Sequence, residues 1–166
     1  MTKGIYWVDG PWPGRLGIAA RPRGGDWLTA DLANWRHEGV DAVVSLLTRD
    51  EQDELSLSEE GAGARAEGMR FVWLPIRDRQ VPDSESEVEA LVRDLDGTLS
   101  ARRNVLVHCR QGIGRSGLLA ACVLIHRGSS PETALKAISE ARGTAVPETQ
   151  EQRRWIEQYA VAHAHR

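Results

Sequence analysis

The stretch "NVLVHCRQGIGRSGLLAACVLIHRG", residues 104–128, constrains this chain more than any other. A short apolar, β-branched run, "NVLVHC", reads as a buried strand. "GRSGLLAACVLIHRG" is apolar on nearly all faces and reads as a central buried helix. Where they join, "HCRQGIGRSG" carries a cysteine followed by three glycines and two arginines. A strand feeding a buried helix through so short a loop demands an α/β layer with the loop at the C-terminal end of the strand. That is where open α/β sheets bind ligands.

The rest of the pattern fits that frame. Strands are predicted at Leu16–Ala19, at Ala42–Leu47, and over "MRFVWLPI", which Pro75 ends or edges. The segment "LTADLANWRHEG" reads as a helix with Thr29 as N-cap and Gly39 as stop. "TRDEQDELSLSEEGAGARAEG" is polar, with room for one or two short helices, and its acids read as a solvated face. A helix over Glu85–Ser100 takes Ser84 or Ser86 as its cap. "SSPETALKAISEARG" has Ser130 as cap, Pro131 at the first helical position and Gly143 at its end. "PETQEQRRWIEQYAVAHA" is the last helix. The Gly-, Pro- and Trp-rich start reads as turns, with Trp7, Trp12 and Trp27 covering the core edge. Together these predict one α/β domain over residues 1–166, with a mostly parallel central sheet flanked by helices, a core at about 14–160 and an N-terminal extension at 1–13.

Composition excludes some functions. A net charge of −3 argues against a nucleic-acid partner. No apolar run approaches a membrane span, and the first residues carry no apolar secretory core, so no membrane association is expected. Two cysteines, Cys109 and Cys122, give no disulfide framework and point to a reducing cytoplasm. The histidines, including His163 and His165, lack zinc-type spacing, so neither metal nor cofactor is expected.

The loop's chemistry follows from its residue types. Backbone N–H groups and a helix N-terminus make an anion site. Gly112, Gly114 and Gly117 let the backbone approach an anion closely. Arg115 follows Cys109 by six positions, which brings its planar guanidinium back over the same pocket, where it offers paired hydrogen bonds to a phosphate. The same field lowers a thiol's pKa, so Cys109 is expected as a thiolate and nucleophile. "GIGRSG" also fits the dinucleotide pattern G-x-G-x-x-G, but no second strand ending in an acid follows at the required distance. A nucleotide P-loop needs a lysine that this loop lacks.

"HCRQGIGRSG" resembles the signature of cysteine-dependent protein tyrosine and dual-specificity phosphatases. "VVSLLTRDE", "LPIRDRQVPD" and "ARGTAVPETQEQ" extend the likeness to the compact type related to cyclin-dependent kinase inhibitor 3, over roughly residues 14–160. The resemblance implies a cysteinyl-phosphate intermediate, with Arg110, Gln111, Gly112, Ile113, Gly114 and Arg115 cradling the phosphate. It gives Ser116 the role of donor to the sulfur, and His108 that of orienting the loop beneath the thiol. It places a general acid in "LPIRDRQVPD" and points to Asp78, with Asp83 as competitor. Arg77 and Arg79 read as solvated surface, and Cys122 as a core cysteine. The family's water-positioning Gln-Thr-x-x-Gln is matched at Thr149 and Gln152, while Glu148 stands at the first Gln. Phosphotyrosine proteins, with phosphoserine or phosphothreonine beside them, are the implied substrates. A phosphoinositide or small-phosphoester phosphatase, a non-catalytic phosphoprotein-binding module and a persulfide sulfur-transfer enzyme are the rivals.

Overall fold

The computed structural model describes residues 4–163, so His165 lies outside the described residues. The sheet has five strands: β1 (Tyr6–Val8), β2 (Leu16–Ala19), β3 (Ala42–Ser45), β4 (Arg70–Trp73) and β5 (Val105–His108). Their spatial order is β1-β2-β5-β3-β4, with β5 central. All neighbours run parallel except β1, which pairs antiparallel with β2 at the edge. The helices are α1 (Leu28–His37), α2 (Arg49–Glu54), α3 (Glu60–Ala66), α4 (Glu85–Ser100), α5 (Gly114–His126), α6 (Pro131–Arg142) and α7 (Gln150–Ala162).

Strand alternation splits the core in two. Val105 and Val107 of β5 join Leu16, Ile18, Ala42 and Val44 in the cluster that α4–α7 cover. Leu106 joins Ala19, Val43, Leu32 and Trp35 on the other face, under α1 and α3. Every residue of β5 is buried, which is why its sequence is a continuous apolar run. All but the last residue of α5 are buried too. It packs against α4, α6, α7 and the sheet, so the helix leaving the loop is the hub of the domain.

Most predicted elements form with their predicted caps. Ser84 accepts from the Glu87 N–H and Ser130 from the Thr133 N–H, and Gly143 closes α6 at φ +77°. Five expectations need correction. Residues 6–8, in the stretch expected as an extension of turns, form β1. Its three residues are too few for a period-2 signal. Thr29 is not an N-cap: the chain enters α1 through a 3₁₀ turn at Gly25–Trp27, and no side chain caps it. Trp27 does not cover the core; it is exposed, beneath the Arg23 guanidinium. The acids of residues 48–67 are not all solvated, because Glu51 and Glu60 are buried. β3 also ends at Ser45 and β4 at Trp73, short of their apolar runs.

Candidate active site

The loop 109–113 leaves the C-terminal end of β5 and enters α5 at Gly114. Gly112 sits at φ +73°, and a Cβ there would lie 2.5 Å from the Ala19 carbonyl carbon, so only glycine lets the loop lie against β2. The loop's carbonyls are pinned outward. The Arg21 N–H donates to the Arg110 carbonyl at 3.3 Å. Arg142, at the end of α6, donates from Nε to the Gly112 carbonyl at 3.0 Å and from Nη2 to the Gln111 carbonyl at 3.2 Å. A trans peptide sets C=O and N–H antiparallel, so the N–H groups of Gln111, Gly112 and Ile113 point to the opposite side, into the loop. Arg142 itself stacks on the Tyr6 ring, 4.3 Å from its centroid. Sequence reasoning missed both residues. Neither stands near the loop in sequence, and a basic residue in a last helical turn has an ordinary explanation in the helix dipole.

Cys109 lies at the floor, 3% exposed, with Sγ 3.4 Å from Ser116 Oγ. Burial alone would push its thiol pKa up. The Ser116 hydroxyl and N–H, the Arg115 charge and the Gly112 N–H outweigh that and hold it below the ordinary value. Cys122, wholly buried within α5, is pushed up by the same desolvation with no donors to counter it, and is a core cysteine.

His108 is the last residue of β5, and alternation sends it to the α3 face, opposite the loop. There its Nε2 meets buried Glu60 Oε2 at 2.5 Å, and its Nδ1 lies 3.2 Å from the Cys109 carbonyl oxygen. Burial would lower its pKa, but the Glu60 charge and hydrogen bond, together with the Cys109 carbonyl, raise it. The imidazole therefore clamps the backbone of the cysteine from behind.

Arg115 is 1% exposed on its side chain. Nη1 donates to the carbonyls of Ile76 at 2.7 Å and Leu46 at 3.5 Å, at the ends of the β4 and β3 runs. Glu51, in the first turn of α2, takes Nη1 at 2.7 Å and Nη2 at 2.9 Å, a two-pronged pair. Burial pushes the Glu51 pKa up, and hydrogen bonds from Arg115 and the Thr48 N–H more than reverse it. Glu51 thus occupies the end-on edge of the guanidinium and leaves the Nε–Nη2 edge for an anion. The signal for Glu51 in the sequence was the capping box "TRDE", which places it at the N3 position of α2 but says nothing of Arg115.

Asp78, on the loop between β4 and α4, accepts from Arg115 Nη2 at 3.2 Å, with its side chain 52% exposed. Asp83 is fully solvated beside Arg77, 3.7 Å away, and makes no contact with Arg115. Of the two acids, the structure brings Asp78 to the guanidinium. Arg110 turns to Glu54 at 3.2 Å and Glu51 at 3.7 Å. Arg79 is exposed yet paired with Glu148 at 2.9 Å, so it is not simply solvated. Gln111 is exposed, Ile113 packs on the core, and Gly114 starts α5. Gln152 is fully buried. Its Oε1 accepts from the Glu148 and Thr149 N–H groups, and its Nε2 donates to the Gln80 carbonyl.

The arrangement is a buried thiol of lowered pKa at the floor of a loop of inward-facing N–H groups, a fixed cation beside it and a half-exposed carboxyl at the mouth. Comparison with known proteins gives the family and the fold. A family model described as "Polymorphic toxin system, DSP-PTPase phosphatase" matches residues 17–129. Cyclin-dependent kinase inhibitor 3 of Rattus norvegicus is 33% identical over 134 residues, 80% of this chain and 63% of that protein. The Homo sapiens protein of that name is 34% identical over 87 residues, 51% of this chain and 41% of that protein. The matched region therefore spans less than two thirds of these relatives. The crystal structure of kinase associated phosphatase, with its catalytic-site cysteine changed to serine, superposes with a TM-score of 0.88 at 23% identity, covering 100% of this chain and 99% of that one, and shows a shared fold. Tk-PTP in its active form gives a TM-score of 0.80 at 26% identity, covering 97% and 99%.

Proposed function

This chain belongs to the DSP-PTPase family of tyrosine and dual-specificity phosphatases, and from that premise we propose that it hydrolyses phosphotyrosine, and phosphoserine or phosphothreonine beside it, in proteins through a cysteinyl-phosphate. The observation that carries the reading is the convergence of Cys109, Ser116 and Arg115 around inward-facing loop N–H groups. The Cys109 thiolate attacks phosphorus while the loop N–H groups and the free edge of Arg115 hold the phosphoryl oxygens. An incoming phosphoryl oxygen takes Arg115 Nη2 from Asp78. Released from the guanidinium and protonated from solvent, the carboxyl gives that proton to the leaving oxygen as the P–O bond breaks. Ser116 donates to the sulfur when it departs from phosphorus, and Asp78, now a carboxylate, takes a proton from the attacking water. None of these steps calls for a metal.

The test is p-nitrophenyl phosphate turnover in EDTA by wild type, Cys109→Ser and Asp78→Ala. Turnover abolished by the first variant and lowered by the second is the expected result. A folded wild type without turnover would overturn the reading and favour a binding module; activity surviving Cys109→Ser would remove the nucleophile. A following panel of phosphotyrosine, phosphoserine and phosphoinositide substrates assigns the class. Arg77, Arg79 and Arg110 each face an acid, which favours a single phosphomonoester over a headgroup with several.

A further inference from the structure

The turn that carries Asp78 is built in an unexpected way. The Gln80 N–H closes it on the Arg77 carbonyl at 2.9 Å, and Arg79 occupies the third position at φ +63°. That conformation suits glycine or asparagine and is uncommon for a long side chain. An arginine there is held by what its side chain reaches: Nη1 donates to Glu148 Oε2 at 2.9 Å. One residue on, the Gln80 carbonyl accepts from Gln152 Nε2 at 3.1 Å. The turn is therefore tied at its third and fourth positions to the segment that opens α7.

That segment is itself rigid. Thr149 and Gln152 form a reciprocal capping box, and Gln152 Oε1 also accepts from the Glu148 N–H at 3.1 Å. It lies against the phosphate loop as well. A Cβ on Gly114 would come within 2.8 Å of Glu148 Oε1 and 3.0 Å of Gln152 Oε1. The opening of α7 thus stands between the start of α5 and the Asp78 turn and touches both.

We propose that Glu148 and Gln152 are positioning residues that hold the Asp78 turn over Cys109, through the Arg79 guanidinium and the Gln80 carbonyl. A glutamine at 148 would form no ion pair with Arg79. The glutamate that departs from the family's water-holding pattern serves the acid step instead, and Gln152 is spent on the same strut. The inference rests on Asp78 being the general acid.

Loss of acid assistance penalises a poor leaving group more than a good one, which separates misplacement of Asp78 from general damage. The experiment compares kcat on phenyl phosphate and on p-nitrophenyl phosphate for wild type, Asp78→Asn, Glu148→Gln, Arg79→Gln and the exchange Arg79→Glu with Glu148→Arg. Asp78→Asn lowers the phenyl phosphate rate by about 100-fold or more, the scale of lost acid catalysis, and the nitrophenyl rate far less. Glu148→Gln and Arg79→Gln show the same selective loss at roughly a tenth of that size, with KM unchanged, and the exchange restores part of it. A Glu148→Gln enzyme that loses both substrates equally, with a burst showing slow breakdown of the cysteinyl-phosphate, overturns the proposal and makes Glu148 a group acting on water. Wild-type behaviour of Glu148→Gln beside a selective Asp78→Asn removes the latch alone. An Asp78→Asn enzyme without leaving-group selectivity removes the acid assignment and the latch with it.

Discussion

Replacing Glu51 with alanine strips a buried guanidinium of its two-pronged partner. The Arg115 side chain is 1% exposed and that of Glu51 9%, so water does not substitute for the lost carboxylate. Removing one partner of a buried pair costs about 3–5 kcal/mol, because a charge is left without its counterpart. Two features set this case within that range. Asp78 remains at 3.2 Å from Nη2, and the Ile76 carbonyl at 2.7 Å from Nη1, which argues for the lower end. Against that, Glu51 also accepts from the Thr48 N–H at 3.0 Å, and losing this half of the capping box adds roughly 1 kcal/mol. The sum is about 4 kcal/mol, a large share of the roughly 5–15 kcal/mol that holds a domain together. For a chain of this size each kcal/mol moves Tm by about 2–4 °C, so Glu51→Ala melts roughly 8–16 °C below wild type.

The assay is thermal unfolding followed by circular dichroism at pH 7, with p-nitrophenyl phosphate turnover measured well below either transition. Because Glu51 is held below its ordinary pKa, its contribution is complete at pH 7. It fades only as pH falls through the lowered folded value. The double variant Glu51→Leu with Arg115→Met removes both charges, so it recovers most of the lost stability while remaining inactive. A Glu51→Ala Tm within about 3 °C of wild type, or a double variant no more stable than the single, refutes the reasoning. Either result would mean that Arg115 is solvated in solution and free of Glu51.

Two further outcomes are expected. Inactivation by iodoacetate reports the Cys109 thiolate, and its pH midpoint in wild type lies below the ordinary thiol value. Ser116→Ala removes the hydroxyl at 3.4 Å and moves the midpoint upward, and an unmoved midpoint would show that the loop N–H groups alone hold the anion. Arg142→Ala frees the Gln111 and Gly112 carbonyls, so orthovanadate, a phosphate analogue, binds about tenfold more weakly, the loss of roughly one net hydrogen bond, while Tm shifts by only a few degrees. Unchanged vanadate affinity would show that the loop holds its shape without α6.

The centre of this site was legible in ten residues, and its supports were not. Cys109, Arg115 and the glycines announce themselves because a thiol, a guanidinium and three residues without side chains have no shared reason to interrupt an apolar strand and an apolar helix. Glu51 and Glu60 stood in a polar stretch where seven acidic residues share one composition. A solvated face was the economical reading, since a buried carboxylate is rare unless paired. The partners that make them exceptions, Arg115 and His108, lie 64 and 48 residues away. Periodicity carries no information across that distance.

The same limit explains β1, Arg142 and Glu148. Each is defined by what packs beside it in the folded chain rather than by its neighbours in sequence. β1 exists because β2 offers it an edge, and Tyr6 then gives Arg142 a ring to lie on while its guanidinium turns the loop carbonyls outward. Glu148 reads from the sequence either as a replacement for the water-holding Gln or as an acid that starts the last helix. Only the left-handed Arg79 opposite gives it a second use. A short thiol-bearing, anion-cradling loop therefore marks itself in the sequence through the residue types it carries. The groups that aim it are generic residues, and their role comes from tertiary contact: Glu60 behind His108, Glu51 behind Arg115, Arg142 behind the carbonyls and Glu148 behind Arg79.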